Sequence, residues 1–228
     1  MVELMNKKTA FHVHTNFSYD SNLKPEDLVD FLIKNDFKQV IITDHDEIEG
    51  ALVARNYAES KYGDEFKVII GEEVSTNIGD IIGFPLTKKI IAKDAKDCFR
   101  QIKEQGGFIC LPHPYKAHDL FQIHQKWVID ELDFVEIFNA RLNPKLNSYA
   151  SNYAQFYKKM QIIGSDAHLI SELNNTSFKF KSNVKHLTII HESYASIKDI
   201  RKSKAIKFYS RKNYFKWLKY FILQKINM

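Results

Sequence analysis

The stretch TAFHVHTNFSYDS, residues 9–21, decides how this chain is read. It begins as a short apolar run and ends in His12 and His14, with Asp20 close behind. The same arrangement recurs along the chain. KQVIIT (38–43) leads into Asp44, His45 and Asp46, KVIIG (67–71) into Glu72 and Glu73, and FICLP (108–112) into His113. DFVEIF (133–138) carries Glu136 and is followed by Asn139 and Arg141, and QIIGS (161–165) runs into Asp166 and His168. Any one such group fits a surface or capping residue. Six apolar runs that each deliver His, Asp or Glu at their carboxyl end point to one shared site, because strand ends converge there in (β/α) barrels.

The apolar runs predict strands near 9–13, 38–43, 66–71, 80–84, 107–111, 133–138 and 161–164, with a further one at 186–190. Amphipathic periodicity predicts helices over 25–34, 47–62, 94–105, 145–159 and 194–203. Pro25 suits a first helical turn, with Leu28, Phe31 and Leu32 on one face, and Gly106-Gly107 ends the helix before FICL. Strand–helix alternation in one domain predicts an α/β fold with a parallel sheet, either closed into a barrel or open and doubly wound.

Mixed imidazole and carboxylate donors suit divalent metal ions. Side chains alternate along a strand, so His12 and His14 are expected on the same face. Asp166 and His168 repeat that spacing past a strand end, where they can serve one ion or diverge to two. Glu73, flanked by apolar residues, needs a cationic partner if it is buried.

Composition narrows the class. The 228 residues are 44% hydrophobic and 27% charged, enough for one packed domain and unlike a disordered or fibrous chain. MVELMNKKTA lacks a signal-peptide apolar stretch, and no run reaches the roughly 18 apolar residues of a membrane span. Cys98 and Cys110 form no CxxC pair, and Cys110 reads as a reduced core thiol. A cytoplasmic location is expected. The net charge of +5 is unevenly spread: nine Lys or Arg and no acid follow Asp199, while the first 200 residues hold 24 basic and 28 acidic side chains. A mildly acidic domain, 1–206, is therefore expected to carry a basic, aromatic-rich helical tail, 207–228.

The set FHVHTNFSYDS, IITDHDEIEG, GEEVST, LPHPY, VEIFNAR and GSDAH resembles, in order and spacing, the motifs of the polymerase and histidinol phosphatase (PHP) superfamily of metal-dependent phosphoesterases. The resemblance implies a distorted, TIM-like (β/α)7 barrel holding two or three divalent ions, manganese, iron or zinc, at the carboxyl ends of its strands. It makes His12, His14, Glu73 and Asp166 ligands of a first ion, with Glu73 bridging to a second that also takes His113. Asp20, His45 and His168 would hold the third. Many relatives complete the second ion with a His shortly after the Glu. Here the nearest candidate is Asp80, which reads equally as a turn residue after Gly79.

Asp44 and Asp46 flank His45 and can orient it, although Asp46 and Glu47 also suit a first helical turn. Glu136 reads either as a ligand or as a buried carboxylate behind one. Asn139 and Arg141 can face an anionic substrate, as can Lys116, and Arg forks well onto phosphate. His118, His124, His186 and His191 match no motif.

The implied reaction is hydrolysis of a phosphomonoester or phosphodiester, with a hydroxide bridging two ions attacking phosphorus in line. Glu73 and Asp166 anchor that centre, and Arg141 is a clamp. The expected substrate is a phosphorylated small molecule or nucleotide, in an open site because residues 114–135 leave little room for a capping insertion. The alternative is a metal-binding module without turnover that acts through a partner protein. For the tail, packing on the body or self-association is the first reading. A peripheral contact with an anionic membrane surface is the second and nucleic acid the least favoured. In none of these is the tail expected to be needed for the chemistry.

Overall fold

The computed structural model describes residues 6–116, 118–180 and 187–207. In chain order its elements begin β1 (Thr9–Val13), α1 (Pro25–Lys34), β2 (Gln39–Ile42), α2 (Glu49–Tyr62), β3 (Lys67–Ile70), β4 (Glu72–Thr76), β5 (Gly79–Phe84) and α3 (Ala95–Glu104). They continue β6 (Phe108–Leu111), α4 (Leu120–Ile123), α5 (Lys126–Glu131), β7 (Phe134–Asn139), α6 (Pro144–Phe156), β8 (Met160–Gly164), β9 (Thr176–Phe180) and β10 (Leu187–Glu192). Residues 197–207 form a last helix, α7.

Local chemistry accounts for the helices. α1 starts on Pro25, carries Glu26 and Asp27 in its first turn and Lys34 in its last, and buries Leu28, Val29 and Leu32. Phe31, on the same face, is partly buried against this core. Asp94 caps α3 by accepting from the Lys96 and Asp97 amides, and Asn143 caps α6 by accepting from Leu146. Gly106, at φ 72°, turns the chain from α3 into β6 as its sequence position suggested.

The fold is α/β, with the strands divided between two five-stranded sheets, ordered β10-β9-β1-β2-β3 and β4-β5-β6-β7-β8. The pairs β1–β2, β2–β3, β6–β7 and β7–β8 are parallel; β4–β5, β5–β6, β1–β9 and β9–β10 are antiparallel. Two strands went unread in the sequence. β4 follows β3 after only Gly71, so its ligand-bearing GEEVST looked like the loop beyond a strand. β9 has no carboxyl-end motif to mark it.

The sheets do not join into one continuous ladder among the described residues. Short bridges of backbone bonds link them instead: Ser165 N to Phe11 O at 3.0 Å, Ala167 N to His12 O at 3.2 Å with His14 N to Ala167 O at 2.9 Å, Gly71 N to Ile42 O at 2.9 Å, and Glu73 N to Asp44 O at 3.1 Å with Asp46 N to Glu73 O at 3.0 Å. These bridges lie at the strand ends that carry the motifs. One cluster of side chains, including Phe11, Ile41, Ile69, Ile82, Phe84, Cys110, Phe134, Ile162 and Phe178, draws on both sheets. A second packs the opposite strand faces, Ala10, Val40, Ile42, Val68 and Ile70, against helix residues such as Leu28, Leu32, Ala51 and Ala54. Both faces of the inner strands are therefore buried, at about 1.5–3 kcal/mol for each large side chain, whereas the edge strand β10 is largely exposed. Both cysteines are buried and free. No helix among the described residues is long and apolar enough to cross a membrane.

The tail from 208 onward lies outside the described residues, as does residue 186 of the expected last strand. The boundary drawn at 206/207 falls inside helical residues.

Ile102 fills the space left by two glycines: a Cβ on Gly83 would lie 2.7 Å from Ile102 Cγ1, and one on Gly107 would lie 3.0 Å from Ile102 Cγ2. Ile102→Ala should cost about 2–5 kcal/mol in denaturant unfolding. Gly83→Ala should also destabilise, by crowding, and the double variant should be more stable than the sum of the two losses predicts. Strict additivity would show that Ile102 does not set the size of residue 83.

Candidate metal centre

The motif side chains meet at the bridged strand ends. β1 carries a bulge: Phe11 pairs with Ile41 and Val13 with Ile42, which leaves His12 as the extra residue at φ 60°. His12 and His14 converge, with ring centroids 5.2 Å apart, but through this bulge and not through simple alternation. His113 and Asp166 also sit at positive φ, 30° and 50°. Three of the expected ligands thus hold a backbone conformation that L-residues avoid, a cost the surrounding structure sustains at this site.

Glu73 is the hub. Its Oε2 lies 3.3 Å from each of His12 Nε2, His14 Nε2 and His45 Nδ1, and its Oε1 lies 2.9 Å from His113 Nε2. Asp166 Oδ1 faces His14 Nε2 at 3.4 Å and His12 Nε2 at 3.7 Å. Asp20 Oδ2 stands between His45 Nε2 at 3.4 Å and His168 Nε2 at 3.3 Å. Ligand atoms within 4.8 Å of one another group as His12/His14/Glu73, His12/His113/Asp166, Glu73/Asp80/His113 and His14/Asp20/His45/His168. All eight residues expected as ligands are brought together, with His14 shared between the first grouping and the last. Asp80 joins Glu73 and His113. It lies in β5 opposite Ser75, so the turn reading does not hold; Asn77 and Ile78 make the turn.

The donor set fits cations. His14 Nε2, His45 Nδ1 and Asp20 Oδ1 are buried with no hydrogen-bond partner, although the first two face carboxylate oxygens. Burial and the neighbouring His168 and His45 push His14 down to about 3, so it is neutral and offers a lone pair. Burial would lower His45 too, but the Glu73 and Asp20 carboxylates outweigh it and hold His45 at about 9. His12 is raised in the same way by Glu136 and Glu73. Glu73 is held well below the usual carboxylate range against its burial by His45 and His12, and Asp166 likewise by Lys116 and His12.

The supporting groups are now placed. Glu136 accepts at Oε1 from His12 Nδ1 (2.7 Å) and at Oε2 from the His113 amide (2.8 Å) and Asn139 Nδ2 (3.0 Å), so it orients His12 from behind. Asn139 also donates to Asp166 at 3.2 Å and does not face an open substrate space. Asp44 accepts from Thr15 N, Thr15 Oγ1 and Ser18 Oγ, and the Ser18 hydroxyl accepts in turn from the His45 amide at 2.9 Å. It therefore orients the histidine loop through Ser18. Asp46 points elsewhere, accepting from the Ser75 amide at 3.0 Å and pairing with Lys93. Glu47 precedes α2 and accepts from the Ile48 amide at 2.9 Å.

Lys116 Nζ reaches Asp166 Oδ2 at 3.2 Å with its side chain 44% exposed, at the rim of the site. Arg141 is differently placed from the clamp expected. Its guanidinium donates to the buried Glu172 at 2.9 and 3.1 Å, approaches His168 Nδ1 at 3.2 Å, and holds Ser203 of α7.

Several contributors carried no readable signal. Ser21 Oγ donates to the carbonyls of His14 and His168, tying two ligand segments together. Glu172 accepts from the His168 and Leu169 amides at 2.8 and 3.1 Å. His118, matched to no motif, donates from Nε2 to the Asp80 carbonyl at 2.7 Å and packs 5.8 Å from the His113 ring, with burial pushing it down to about 4.

Two of these overlapping groupings share Glu73, and comparison with known proteins identifies the family. The PHP domain family model matches residues 10–221. This chain belongs to the PHP domain family. Two uncharacterized proteins of Methanocaldococcus jannaschii are similar: one is 35% identical over 76% of this chain and 70% of its own length, the other 33% identical over 58% and 82%. Among solved structures, a two-domain protein of Bacteroides vulgatus containing a predicted PHP-like metal-dependent phosphoesterase superposes with a TM-score of 0.65 at 19% identity. That alignment covers 89% of this PHP chain but only 64% of the two-domain protein. An amidohydrolase of Chromobacterium violaceum, solved with bound sulfate and no metal, gives a TM-score of 0.59 at 15% identity over 87% of this chain and 96% of its own. At these identities the solved structures establish the shared fold.

A glycine tests how this PHP site is supported. A Cβ on Gly164 would lie 1.8 Å from Glu136 Oε1 and 2.8 Å from His12 Cβ. Gly164→Ala should displace Glu136, release His12 Nδ1 and weaken metal binding by about 10–100-fold. Gly106→Ala, which meets nothing within 4 Å but forces φ 72° on alanine, should lose stability alone and keep its metals. Metal counts per chain and melting curves of the two variants separate the effects.

Proposed function

We propose that this PHP domain is a metal-dependent hydrolase of phosphoesters, acting on a phosphorylated small molecule or nucleotide. The observation that carries the proposal is the position of Glu73, whose two oxygens face four imidazoles belonging to different groupings. His12, His14, Glu73 and Asp166 would hold one divalent ion, Glu73, Asp80 and His113 a second, and Asp20, His45 and His168 a third. Such ions lower the pKa of water and neutralise charge on a phosphoryl group.

The chain's own residues complete the arrangement. Glu136 fixes the ring of His12, Asn139 steadies Asp166, and the Ser18–Asp44 pair sets the segment that carries His45. Lys116 at the rim would meet a phosphoryl oxygen, exchanging part of its contact with Asp166 for the incoming anion. Arg141 supports His168 and Glu172, so we assign it a positioning role and not that of a clamp. Burial and the neighbouring Glu73 raise Asp80, which marks a carboxyl group that a second cation would stabilise in its charged form.

A panel of p-nitrophenyl phosphate and bis-p-nitrophenyl phosphate, with manganese and with a metal-stripped control, tests the reading. Metal-dependent release of nitrophenol is expected and should be lost in His12→Ala and Asp166→Ala. Glu73→Gln should be harsher than Glu136→Gln, which should cost about 10–100-fold because Glu136 acts through His12. A metal-loaded protein that cleaves no phosphoester would favour the alternative of a binding module acting through a partner.

The second ion has its own test. Asp80→Asn should lower the metal count by one class of site, and Asp80→His should restore or tighten it by supplying an imidazole. Unchanged metal content in both variants would remove Asp80 from the ligand set.

A further inference from the structure

α7 brings a cation to the rim of the centre. The helix is fixed at Ser203, which is 2% exposed and held by Arg141, itself bound to buried Glu172. Just before the helix, the Ala195 amide donates to the Ala140 carbonyl at 2.8 Å, tying this segment to the end of β7. One turn beyond Ser203, Lys207 Nζ stands 3.7 Å from Asp20 Oδ2 and 3.3 Å from the Tyr19 hydroxyl, 4.9 Å above the Tyr19 ring. Tyr19 in turn stacks on His45, with centroids 5.0 Å apart and planes 15° off parallel. The ammonium is thus seated by a cation–π contact on a ring that itself lies against a candidate ligand.

Exposure distinguishes this lysine from the groups it touches. Asp20 and His168 side chains are 7% and 6% exposed, whereas that of Lys207 is 37% exposed. An anionic substrate entering from solvent would meet the lysine before it met the imidazoles. Lys207 Nζ pairs with Asp20 at 3.7 Å, and a cation among Asp20, His45 and His168 would share the same carboxylate oxygen.

We propose that Lys207 is an anion-binding residue of this site, which α7 and Tyr19 position to contact the phosphoryl group of the substrate. The proposal rests on the phosphoesterase reading and adds to it a specificity residue from a segment expected to be dispensable for the chemistry. A merely structural lysine would act by neutralising Asp20, and its loss would alter metal content.

The test uses the full chain loaded with manganese and inorganic phosphate as the probe, titrated calorimetrically into the parent, Lys207→Ala and Lys207→Arg, with metals counted in each. Lys207→Ala should weaken phosphate binding by about tenfold at unchanged metal content, and Lys207→Arg should stay within about threefold of the parent. On a phosphoester the parent cleaves, Lys207→Ala should raise KM while changing kcat by less than about twofold, the signature of lost uniform binding. Equal phosphate affinity in the parent and Lys207→Ala, or loss of an ion from Lys207→Ala, would overturn the proposal. If the parent cleaves no phosphoester, the hydrolase reading fails, and the phosphate titration still decides the role of Lys207.

Discussion

Four imidazoles face one buried carboxylate, and the rest of the structure is arranged to allow it. Glu73 is 1% exposed, and an isolated charge in that position would be untenable. It is tolerated because His12, His14, His45 and His113 surround it, and they can do so only because the backbone is bent to bring them there. Gly71 is the pivot between β3 and β4: a Cβ at that position would lie 2.9 Å from the Ile42 carbonyl oxygen and 3.2 Å from that of Gly83. The bulge at His12 and the positive φ of His113 and Asp166 serve the same convergence. Local strain at three ligands is the cost of packing so many donors around one acceptor, and the two hydrophobic clusters beneath offset it.

The electrostatic state of the centre follows from the same geometry. Protons on imidazoles can neutralise the carboxylates in part, which is why His45 and His12 are raised against their burial. His14 cannot share in this. Burial disfavours a charge on His14, the rings of His168 at 4.4 Å and His45 at 4.6 Å disfavour it further, and His14 is driven neutral. A neutral imidazole facing two carboxylates leaves their charge unbalanced. A divalent ion would satisfy both, replacing mobile protons by a fixed charge with directional bonds.

Most of this was legible in the sequence because ligand chemistry is local. An apolar run followed by His or Asp marks a strand end whatever the strand pairs with, so a shared site could be read before any pairing was known, while its division into ligand groups came from the resemblance to the PHP family. The sheet topology was less legible, since parallel and antiparallel strands share the same two-residue alternation. The break at Gly71 also hid β4 inside a motif. Asp80 read equally as a ligand and as a turn residue because Gly-Asp after Asn-Ile fits a turn; the register opposite Ser75 removes the turn. Arg141 was misread for a different reason. A guanidinium near a strand end suits phosphate by its chemistry, but its partner Glu172 lies 31 positions away and carries no motif. Supporting residues such as Ser18, Ser21 and Glu172 act through hydrogen bonds to backbone groups and to side chains distant in sequence, which leave no periodic trace.

The division of charge along the chain takes on a different meaning once α7 is in place. A net negative body with a basic end suggested two independent parts. Yet the network Glu172–Arg141–Ser203 runs from a buried carboxylate beside His168 to the helix that carries Lys207, and Lys207 returns to Asp20, the carboxylate shared with His168. The path closes on itself through one histidine. Lys116 and Lys207 place positive charge at the rim of a cluster rich in carboxylates, from two different segments of the chain. The acidic character of the body and the basic character of the C-terminal segment are, at this contact, two halves of one electrostatic arrangement.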